Sequence, residues 1–267
     1  MFHFGCPAME DRFSFEGRVV VVTGGARGIG RAIAHAFLES GASVVVCGRN
    51  ANAETVRAVG TAATYVAADV REPEAAERVI GAAVERYGRV DVLVNNAGGS
   101  PFASAATASP RFSAAIVSLN LLAPLSFAQR ANAVMQGQAE GGVILNIASV
   151  SGTRPSPGTA VYGAAKAGLL SLTQSLAIEW APRVRVNAVT PGLVLTDEGH
   201  LHYGDAAGVA AVSATIPIGR MATPRDVAEA CLLLASPRSG YITGASLLVH
   251  GGGDRPAFLG ASTANKR

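Results

Sequence analysis

The feature that most constrains the fold is a repeated alternation of short apolar segments with longer amphipathic ones. The apolar segments are rich in Val and Ile, as in RVVVVTGG at 18–25 and VDVLVNNAG at 90–98. Such runs are typical of parallel strands that are buried on both faces. Intervening segments such as PEAAERVIGAAVERYG at 73–88 have helical character, begin with Pro and end at Gly. The alternation therefore predicts an α/β fold with a doubly wound, Rossmann-like parallel sheet.

The individual elements follow from the same patterns. Strands are predicted at 18–25, 42–48, 63–69, 90–98, 142–149, 183–192 and 245–252. Helices are predicted at 29–41, 51–59, 73–88, 107–133, 160–181 and 224–236. The segment 193–219 is expected to form a lid with one short helix. We predict one domain at 15–253, preceded by an arm at 1–14 and followed by a tail at 254–267.

Composition disfavours several functional classes. The net charge is +3, but the basic residues are scattered singly, which argues against nucleic-acid binding. The sequence shows no run of about eighteen apolar residues, so no membrane span is predicted. Three widely spaced cysteines, Cys6, Cys47 and Cys231, are expected to be reduced thiols of a cytoplasmic protein. His200 and His202 lack a third ligand at sensible spacing, so no metal site is predicted.

The glycine cluster TGGARGIG at 23–30 lies between the first strand and the first helix. Its spacing, Gly24-x-x-x-Gly28-x-Gly30, differs from the usual G-x-G-x-x-G fingerprint, but it meets the same physical needs. Glycines permit a sharp turn and a close approach of the backbone to a pyrophosphate, which the helix N-terminus around Ile29 would face. Turn formation alone would also explain the glycines, but their position favours dinucleotide binding.

The end of the second strand indicates which dinucleotide is preferred. The stretch CGRN at 47–50 has no Asp or Glu for the 2′-hydroxyl of NAD. Arg49, joined by Arg27 of the glycine turn, can instead form charge-assisted hydrogen bonds with a 2′-phosphate. The alternative is that both are exposed surface arginines. We therefore favour NADP(H) over NAD(H).

A tyrosine and a lysine lie four residues apart in VYGAAKAG at 161–168, although the chain has only two lysines, Lys166 and Lys266. On a helix, Tyr162 and Lys166 would share one face. A free tyrosine has a pKa of about 10, and a nearby cation lowers it and eases proton exchange. Ser149 ends the fifth strand, where its hydroxyl can bond a substrate oxygen. Asn120 stands in an apolar helical run and is either functional or a buried, satisfied amide.

Together these motifs resemble the short-chain dehydrogenase/reductase family, in its compact single-domain branch. The resemblance covers roughly residues 15–253. It rests on the glycine motif, Asp69, NNAG at 95–98, Asn120, Ser149, YGAAK at 162–166 and VNAVTPG at 186–192.

The resemblance implies a role for each matched residue. Asn120, Ser149, Tyr162 and Lys166 would form a catalytic tetrad. Tyr162 would be the acid/base, Ser149 would polarise the substrate oxygen, and Lys166 would lower the tyrosine pKa and hold the nicotinamide ribose. Asn120 would support a water that relays protons to Lys166. The remaining cofactor contacts would come from Asp69, Val70, Asn96, Ala97, Gly98, Pro191, Gly192 and Thr196.

Three functions remain open at this point. The leading one is hydride transfer between NADP(H) and a small-molecule carbonyl or secondary alcohol. The alternative is an NAD-dependent alcohol dehydrogenase, and the outsider is a non-catalytic nucleotide-binding sensor or scaffold. Enoyl reduction is disfavoured because that chemistry in the family usually uses a wider Tyr–Lys spacing. The resemblance also implies a homotetramer or homodimer, while no sequence feature selects the substrate.

Overall fold

The computed structural model describes residues 13–50, 54–197 and 203–254. Its strands are β1 Val19–Thr23, β2 Ser43–Gly48, β3 Arg57–Ala58, β4 Thr61–Ala62, β5 Thr64–Ala67, β6 Val92–Asn95, β7 Gly142–Ile147, β8 Val184–Pro191 and β9 Ser246–Val249. Its helices are α1 Gly28–Glu39, α2 Ala75–Tyr87, α3 Pro110–Val117, α4 Ala123–Gln136, α5 Ala160–Glu179, α6 Ala206–Thr215 and α7 Pro224–Ala235. These bounds confirm the predicted alternation of strands and helices.

The main sheet has seven parallel strands in the order β5-β2-β1-β6-β7-β8-β9. Strand β1 pairs on one side with β2, through Val20 and Val44, and on the other with β6, through Val20 and Val92. The chain therefore winds outward in both directions from the boundary between β1 and β6. In doubly wound sheets this boundary opens a crevice at the carboxyl ends of the strands, where ligands bind.

The core has two layers, one on each face of the sheet. Val20 of β1 lies in a layer with Phe37 of α1 and Val227 of α7. The next residue, Val21, lies in the opposite layer with Phe127 of α4. Successive residues of a strand point to opposite faces, so both faces of β1 are apolar and buried. This arrangement confirms the predicted doubly wound, Rossmann-like class.

The short helix predicted at 51–59 is wrong over the described part of that range. Arg57–Ala58 instead pairs antiparallel with Thr61–Ala62 in a small hairpin, while residues 51–53 lie outside the described residues. The turn between the two strands places Val59 at φ +49° and Gly60 at φ +77°. Successive left-handed residues end regular helix and are typical of tight hairpins.

The helix predicted at 107–133 is divided by a π-helical turn. It begins at Pro110, where the Ser109 hydroxyl accepts a hydrogen bond from Phe112 N, and the π turn spans Ser118–Leu122. The whole stretch Pro110–Gln136 is long and apolar enough, by length and composition, to cross a membrane. A core helix of a soluble protein meets the same criterion, and α4 packs on the sheet through Phe127.

The predicted lid contains the short helix that was expected, α6. None of the residues of α6 is buried, and the Asp205 side chain caps its first turn by accepting from Gly208 N. His200 and His202 lie outside the described residues. Cys47 and Cys231 are free and buried, while Cys6 lies outside the described residues.

Candidate active site at the carboxyl edge of the sheet

Ser149 and Tyr162 are brought together where β7 ends and α5 begins. Ser149 caps the short turn Val150–Gly152, and its Oγ accepts a hydrogen bond from Ser151 N at 3.1 Å. Tyr162 lies in the first turn of α5, and its hydroxyl is near enough to the Ser149 side chain for Ser149 to lower its pKa. The two hydroxyl groups therefore form one polar pair beside the crevice.

Lys166 lies one helical turn beyond Tyr162 and is buried. Its Nζ donates a hydrogen bond to Ile147 O at 2.7 Å and lies 5.7 Å from the centroid of the Tyr162 ring. The shared helical face that the sequence predicts is therefore present. Burial lowers the pKa of Lys166 from 10.5 to about 8, because a charged ammonium is poorly solvated there.

The pKa of Tyr162 changes in the direction opposite to that expected for a tyrosine activated by Lys166. Burial raises this pKa, and the Ser149 side chain lowers it by a smaller amount. Tyr203 adds to the increase. Burial of a phenol disfavours the charged phenolate, which explains the direction. In this structure Tyr162 is accordingly a proton-bearing group at neutral pH.

Asn120 lies in the π turn and is completely buried. Its Oδ1 accepts from Gly99 N at 2.9 Å, and its Nδ2 donates to Gly99 O and Ile116 O, both at 3.0 Å. The side chain therefore clamps the backbone of the loop after β6, as a buried and satisfied amide would. The water-holding role implied for Asn120 stays a prediction.

Gly98 lies between the side chains of Asn120 and Lys166. A Cβ atom at Gly98 would lie 2.8 Å from Asn120 Oδ1 and 3.3 Å from Lys166 Nζ. Real Cβ atoms essentially never approach as closely as 2.8 Å, so a larger residue at 98 would displace the buried Asn120 side chain. Asn120, Lys166 and the Ser149–Tyr162 pair thus lie around one end of the crevice.

Three buried polar side chains from β6, β7 and α5 form a hydrogen-bonded network. Asn95 Nδ2 donates to Asn146 Oδ1 at 2.9 Å, and Asn146 Nδ2 donates to Thr173 Oγ1 at 2.9 Å. Asn95 Nδ2 also donates to Pro124 O, which links β6 to the start of α4. Sequence reasoning missed this network, although polar residues within apolar strands are a signal that such a network exists.

The glycine turn has the shape that a pyrophosphate requires. Gly24 and Gly28 have positive φ, and a Cβ at Gly30 would lie 2.3 Å from Gly24 O. Above Gly28 the nearest atom that a Cβ would meet is Thr196 Cγ2 at 3.9 Å, so the backbone is open there. Arg27 precedes α1 and provides no side-chain cap for its first turn. This open, uncapped helix start fits a dinucleotide phosphate.

Asn96 and Ala97 are held against the glycine turn by Thr23. The Thr23 Oγ1 accepts from Asn96 N and Ala97 N, each at 3.0 Å, and Asn96 Nδ2 donates to Thr23 O at 2.9 Å. The Ile29 side chain packs on the core. Thr23 is a residue that sequence reasoning missed, since a threonine that ends a strand carries no distinctive signal.

The proposed adenosine side contains Arg27 and Arg49, both exposed, and Asp69. The Asp69 carboxylate accepts from Arg71 Nε at 2.9 Å, and this bond, with smaller effects from Arg71 N and the charge of Arg49, lowers its pKa. The Val70 side chain is buried, so the cofactor contact predicted for this residue would come from its backbone. The structure therefore places Arg49 close enough to Asp69 to affect its ionisation.

Pro191 ends β8 and Gly192 follows it, on the opposite side of the crevice. Gly192 N donates to Val249 O at 2.9 Å, and a Cβ at Gly192 would lie 2.8 Å from His250 Cβ. A cavity behind Gly192 includes Arg154, which is ion paired with Asp254. Among the residues that the structure describes, no group of His, Cys, Asp and Glu is suited to a metal ion.

Comparisons with known proteins place this site in a family. A family model described as enoyl-(acyl carrier protein) reductase matches residues 24–253. The chain is 39% identical over 245 residues to L-rhamnose 1-dehydrogenase (NAD(P)(+)) of Azotobacter vinelandii, covering 88% of this chain and 96% of the relative. It is 38% identical over 244 residues to 3-oxoacyl-(acyl-carrier-protein) reductase of Vibrio cholerae, covering 90% and 98%.

A solved structure agrees with these relatives. The crystal structure of a short-chain type dehydrogenase/reductase from Mycobacterium marinum superposes with a TM-score of 0.84 at 32% identity, covering 91% of this chain and 98% of that one. The fold and the similarities together define an oxidoreductase that acts as a dehydrogenase or reductase. The chain belongs to the short-chain dehydrogenase/reductase family.

Proposed function

We propose that the protein transfers a hydride between NADP(H) and a carbonyl or secondary alcohol, with Tyr162 as the acid/base. The observation that carries this proposal is the grouping of the Ser149 and Tyr162 hydroxyl groups beside buried Lys166, whose Nζ lies 5.7 Å from the centroid of the Tyr162 ring, at the same sheet edge as the glycine turn. Two hydroxyl groups and a lysine at a nucleotide crevice suit the polarisation and protonation of a carbonyl oxygen.

Each side chain has a distinct part in this chemistry. The nicotinamide cofactor supplies or accepts the hydride when it is bound. Tyr162, whose pKa is raised, carries the proton that a carbonyl oxygen needs during reduction, and Ser149 orients that oxygen. Lys166 uses one donor on Ile147 O, which leaves its others for a ribose hydroxyl. Asn120 keeps Gly99 in place and with it the loop beside Lys166.

The preference for NADP(H) rests on charge at the end of β2. Arg27 and Arg49 are exposed near the glycine turn, and the residues 47–50 contain no carboxylate that would repel a 2′-phosphate. The nearby Asp69 carboxylate accepts a hydrogen bond from Arg71 Nε. A guanidinium that is exposed beside the crevice favours binding of a phosphate through charge-assisted hydrogen bonds.

A second candidate function is the oxidation of an alcohol with NAD. It is favoured by the similarity to a relative named as an NAD(P)(+)-dependent rhamnose dehydrogenase, because that name includes both cofactors. The description of the matching family model raises enoyl reduction, which the four-residue spacing of Tyr162 and Lys166 disfavours. A sensor or scaffold role is disfavoured because all four predicted catalytic side chains are present and grouped.

We also propose a cytoplasmic homotetramer or homodimer. The outer face of α5 exposes Ile178, and the edge of the sheet near β9 exposes Tyr241 and Leu248. Large apolar side chains that are exposed at the end of α5 and near β9 could be covered by other subunits. The free, buried Cys47 and Cys231 agree with a reducing compartment.

The proposal is tested by a thermal-stability titration with NADPH and NADH in parallel. A ligand that binds only the folded protein stabilises it by about 2.7 kcal/mol at a hundred times its Kd, so the two cofactors can be ranked without a known substrate. Stronger stabilisation by NADPH supports the proposed preference and leads to a panel of carbonyl substrates. Stronger stabilisation by NADH supports the alternative, and no effect from either contradicts the nucleotide site.

A further inference from the structure

The turn that carries Arg49 is hydrogen bonded to β5 or the residue after it, both before and after Arg49. Before Arg49, Gly48 O accepts a hydrogen bond from Ala68 N at 2.9 Å. After Arg49, Asn50 O accepts one from the Tyr65 hydroxyl at 2.6 Å. The Arg49 backbone is thus held between one main-chain bond and one side-chain bond. The bond from Tyr65 is the part of this attachment that a single substitution can remove.

Tyr65 lies close to the place that a side chain at residue 48 would occupy. A Cβ at Gly48 would lie 3.0 Å from the Tyr65 hydroxyl oxygen but 3.8 Å from the nearest ring carbons. The close approach therefore involves the hydroxyl group and not the ring. The φ of Gly48 is not positive, so its backbone accepts an alanine without strain. A Cβ at position 48 requires the Tyr65 hydroxyl to shift by a few tenths of an ångström, in the direction that strains its bond to Asn50 O.

The Tyr65 hydroxyl is well suited to this attachment. Its ring packs against the core layer that contains Phe37, which limits its motion. Burial raises the pKa of Tyr65, so the hydroxyl keeps its proton and donates at neutral pH. The hydroxyl can therefore donate to Asn50 O at neutral pH, where a 2′-phosphate is also negatively charged.

We propose that Tyr65 is a positioning residue for cofactor selection, which holds the turn Gly48–Asn50 so that Arg49 faces the 2′-position of the adenosine ribose. This inference rests on the proposed NADP(H) preference and adds the residue that maintains it. Tyr65 does not itself touch the phosphate in this assignment. It acts through the geometry of the Arg49 backbone, and its removal should affect ligands with a 2′-phosphate more than those without one.

The first test compares Tyr65→Phe with Tyr87→Phe. Tyr87 is a matched control, because its hydroxyl bonds the Thr64 hydroxyl at 2.9 Å and so also contacts β5, but away from the Arg49 turn. Binding of NADPH, NADH and adenosine 2′,5′-bisphosphate is measured by calorimetry. Loss of one hydrogen bond predicts a rise of about threefold to tenfold in the Kd of the two 2′-phosphate ligands for Tyr65→Phe. NADH binding, kcat with saturating NADPH and all properties of Tyr87→Phe should be nearly unchanged.

The second test examines the coupling between Gly48 and Tyr65. In the wild-type background, Gly48→Ala displaces the hydroxyl and should weaken NADPH binding. In the Tyr65→Phe background the 3.0 Å approach is absent, so the same substitution should have little further effect. An equal loss in both backgrounds would mean that the alanine acts on the cofactor directly, which overturns the coupling.

Arg49→Ala separates failure of this inference from failure of the cofactor proposal. If Arg49→Ala removes the preference for NADPH and Tyr65→Phe does not, the positioning role is wrong while the proposed cofactor stands. If Arg49→Ala leaves a preference for NADPH unchanged, Arg49 does not select the cofactor, so the positioning role of Tyr65 fails while the NADP(H) proposal stands. If the wild-type protein shows no preference for NADPH, the cofactor proposal itself fails. If Tyr65→Phe lowers the affinity for NADH as much as the affinity for NADPH, the site is generally damaged, and this result also overturns the inference.

Discussion

Replacing Lys166 by Met is expected to change how the stability of the cofactor-free protein depends on pH. Lys166 is buried, and its pKa is lowered from 10.5 to about 8. In the unfolded chain the same lysine keeps its ordinary pKa. Between these two values the unfolded state binds one more proton than the folded state. The free energy of unfolding of the wild-type chain must therefore rise with pH in this window.

The magnitude follows from the two pKa values. At 1.36 kcal/mol per pKa unit, the full difference corresponds to about 3 kcal/mol of unfolding free energy. About 2 kcal/mol of it should be regained between about pH 7 and pH 9.5, because part of the window lies above that range. Met has a similar length and no charge, so the variant lacks this contribution. It also loses the hydrogen bond to Ile147 O, which offsets part of the gain at neutral pH.

The measurement is urea unfolding of wild type and Lys166→Met at several pH values from 7 to 9.5, at one protein concentration. Tyrosines and the buried cysteines are common to both chains, so the difference between the two curves isolates Lys166. The other lysine, Lys266, is also unchanged. The wild-type stability should rise relative to that of the variant as pH increases. Parallel curves would refute the argument that burial depresses the pKa of Lys166.

Three further substitutions test the site. Tyr162→Phe should reduce turnover by about a hundredfold to ten-thousandfold while leaving cofactor affinity nearly intact, and undiminished turnover in a steady-state assay would contradict the acid/base role. Gly48→Asp should raise the Kd for NADPH relative to that for NADH, because a carboxylate there repels a 2′-phosphate. An unchanged ratio of the two Kd values would mean that charge near Arg27 and Arg49 does not select the cofactor. Asn120→Ala removes three hydrogen bonds to Gly99 and Ile116 and should lower the free energy of unfolding by about 2–4 kcal/mol, and a urea curve that matches wild type would show that the clamp is dispensable.

The sheet was predictable because its signals are local. Most of the parallel strands are short apolar runs rich in Val and Ile, and glycines lie near several strand and helix ends, so the order of elements follows from the sequence. The same reasoning failed at 51–59, where Val59 adopts a left-handed conformation that its residue type does not indicate. There the sequence favours helix weakly and the surrounding structure determines a hairpin.

The candidate site was predictable as a set of residues but not as a set of interactions. Tyr162 and Lys166 stand out by their spacing, whereas the direction of the Tyr162 pKa depends on burial, which no motif reports. Thr23 and Tyr65 act through hydrogen bonds to residues distant in sequence, Asn96 and Asn50. Such contacts exist only once the strands are paired, so neither residue could be singled out beforehand.

The boundary between β1 and β6 divides the crevice into two separately encoded parts. Residues that would recognise the adenosine, including Arg27, Arg49 and Asp69, come from the first seventy positions, whereas Ser149, Tyr162 and Lys166 follow much later. The two parts meet at the Thr23 hydroxyl, which holds the loop after β6. The residues proposed for nucleotide choice and those proposed for bond chemistry therefore come from separate stretches of the chain, so one group can be substituted while the other is left unchanged.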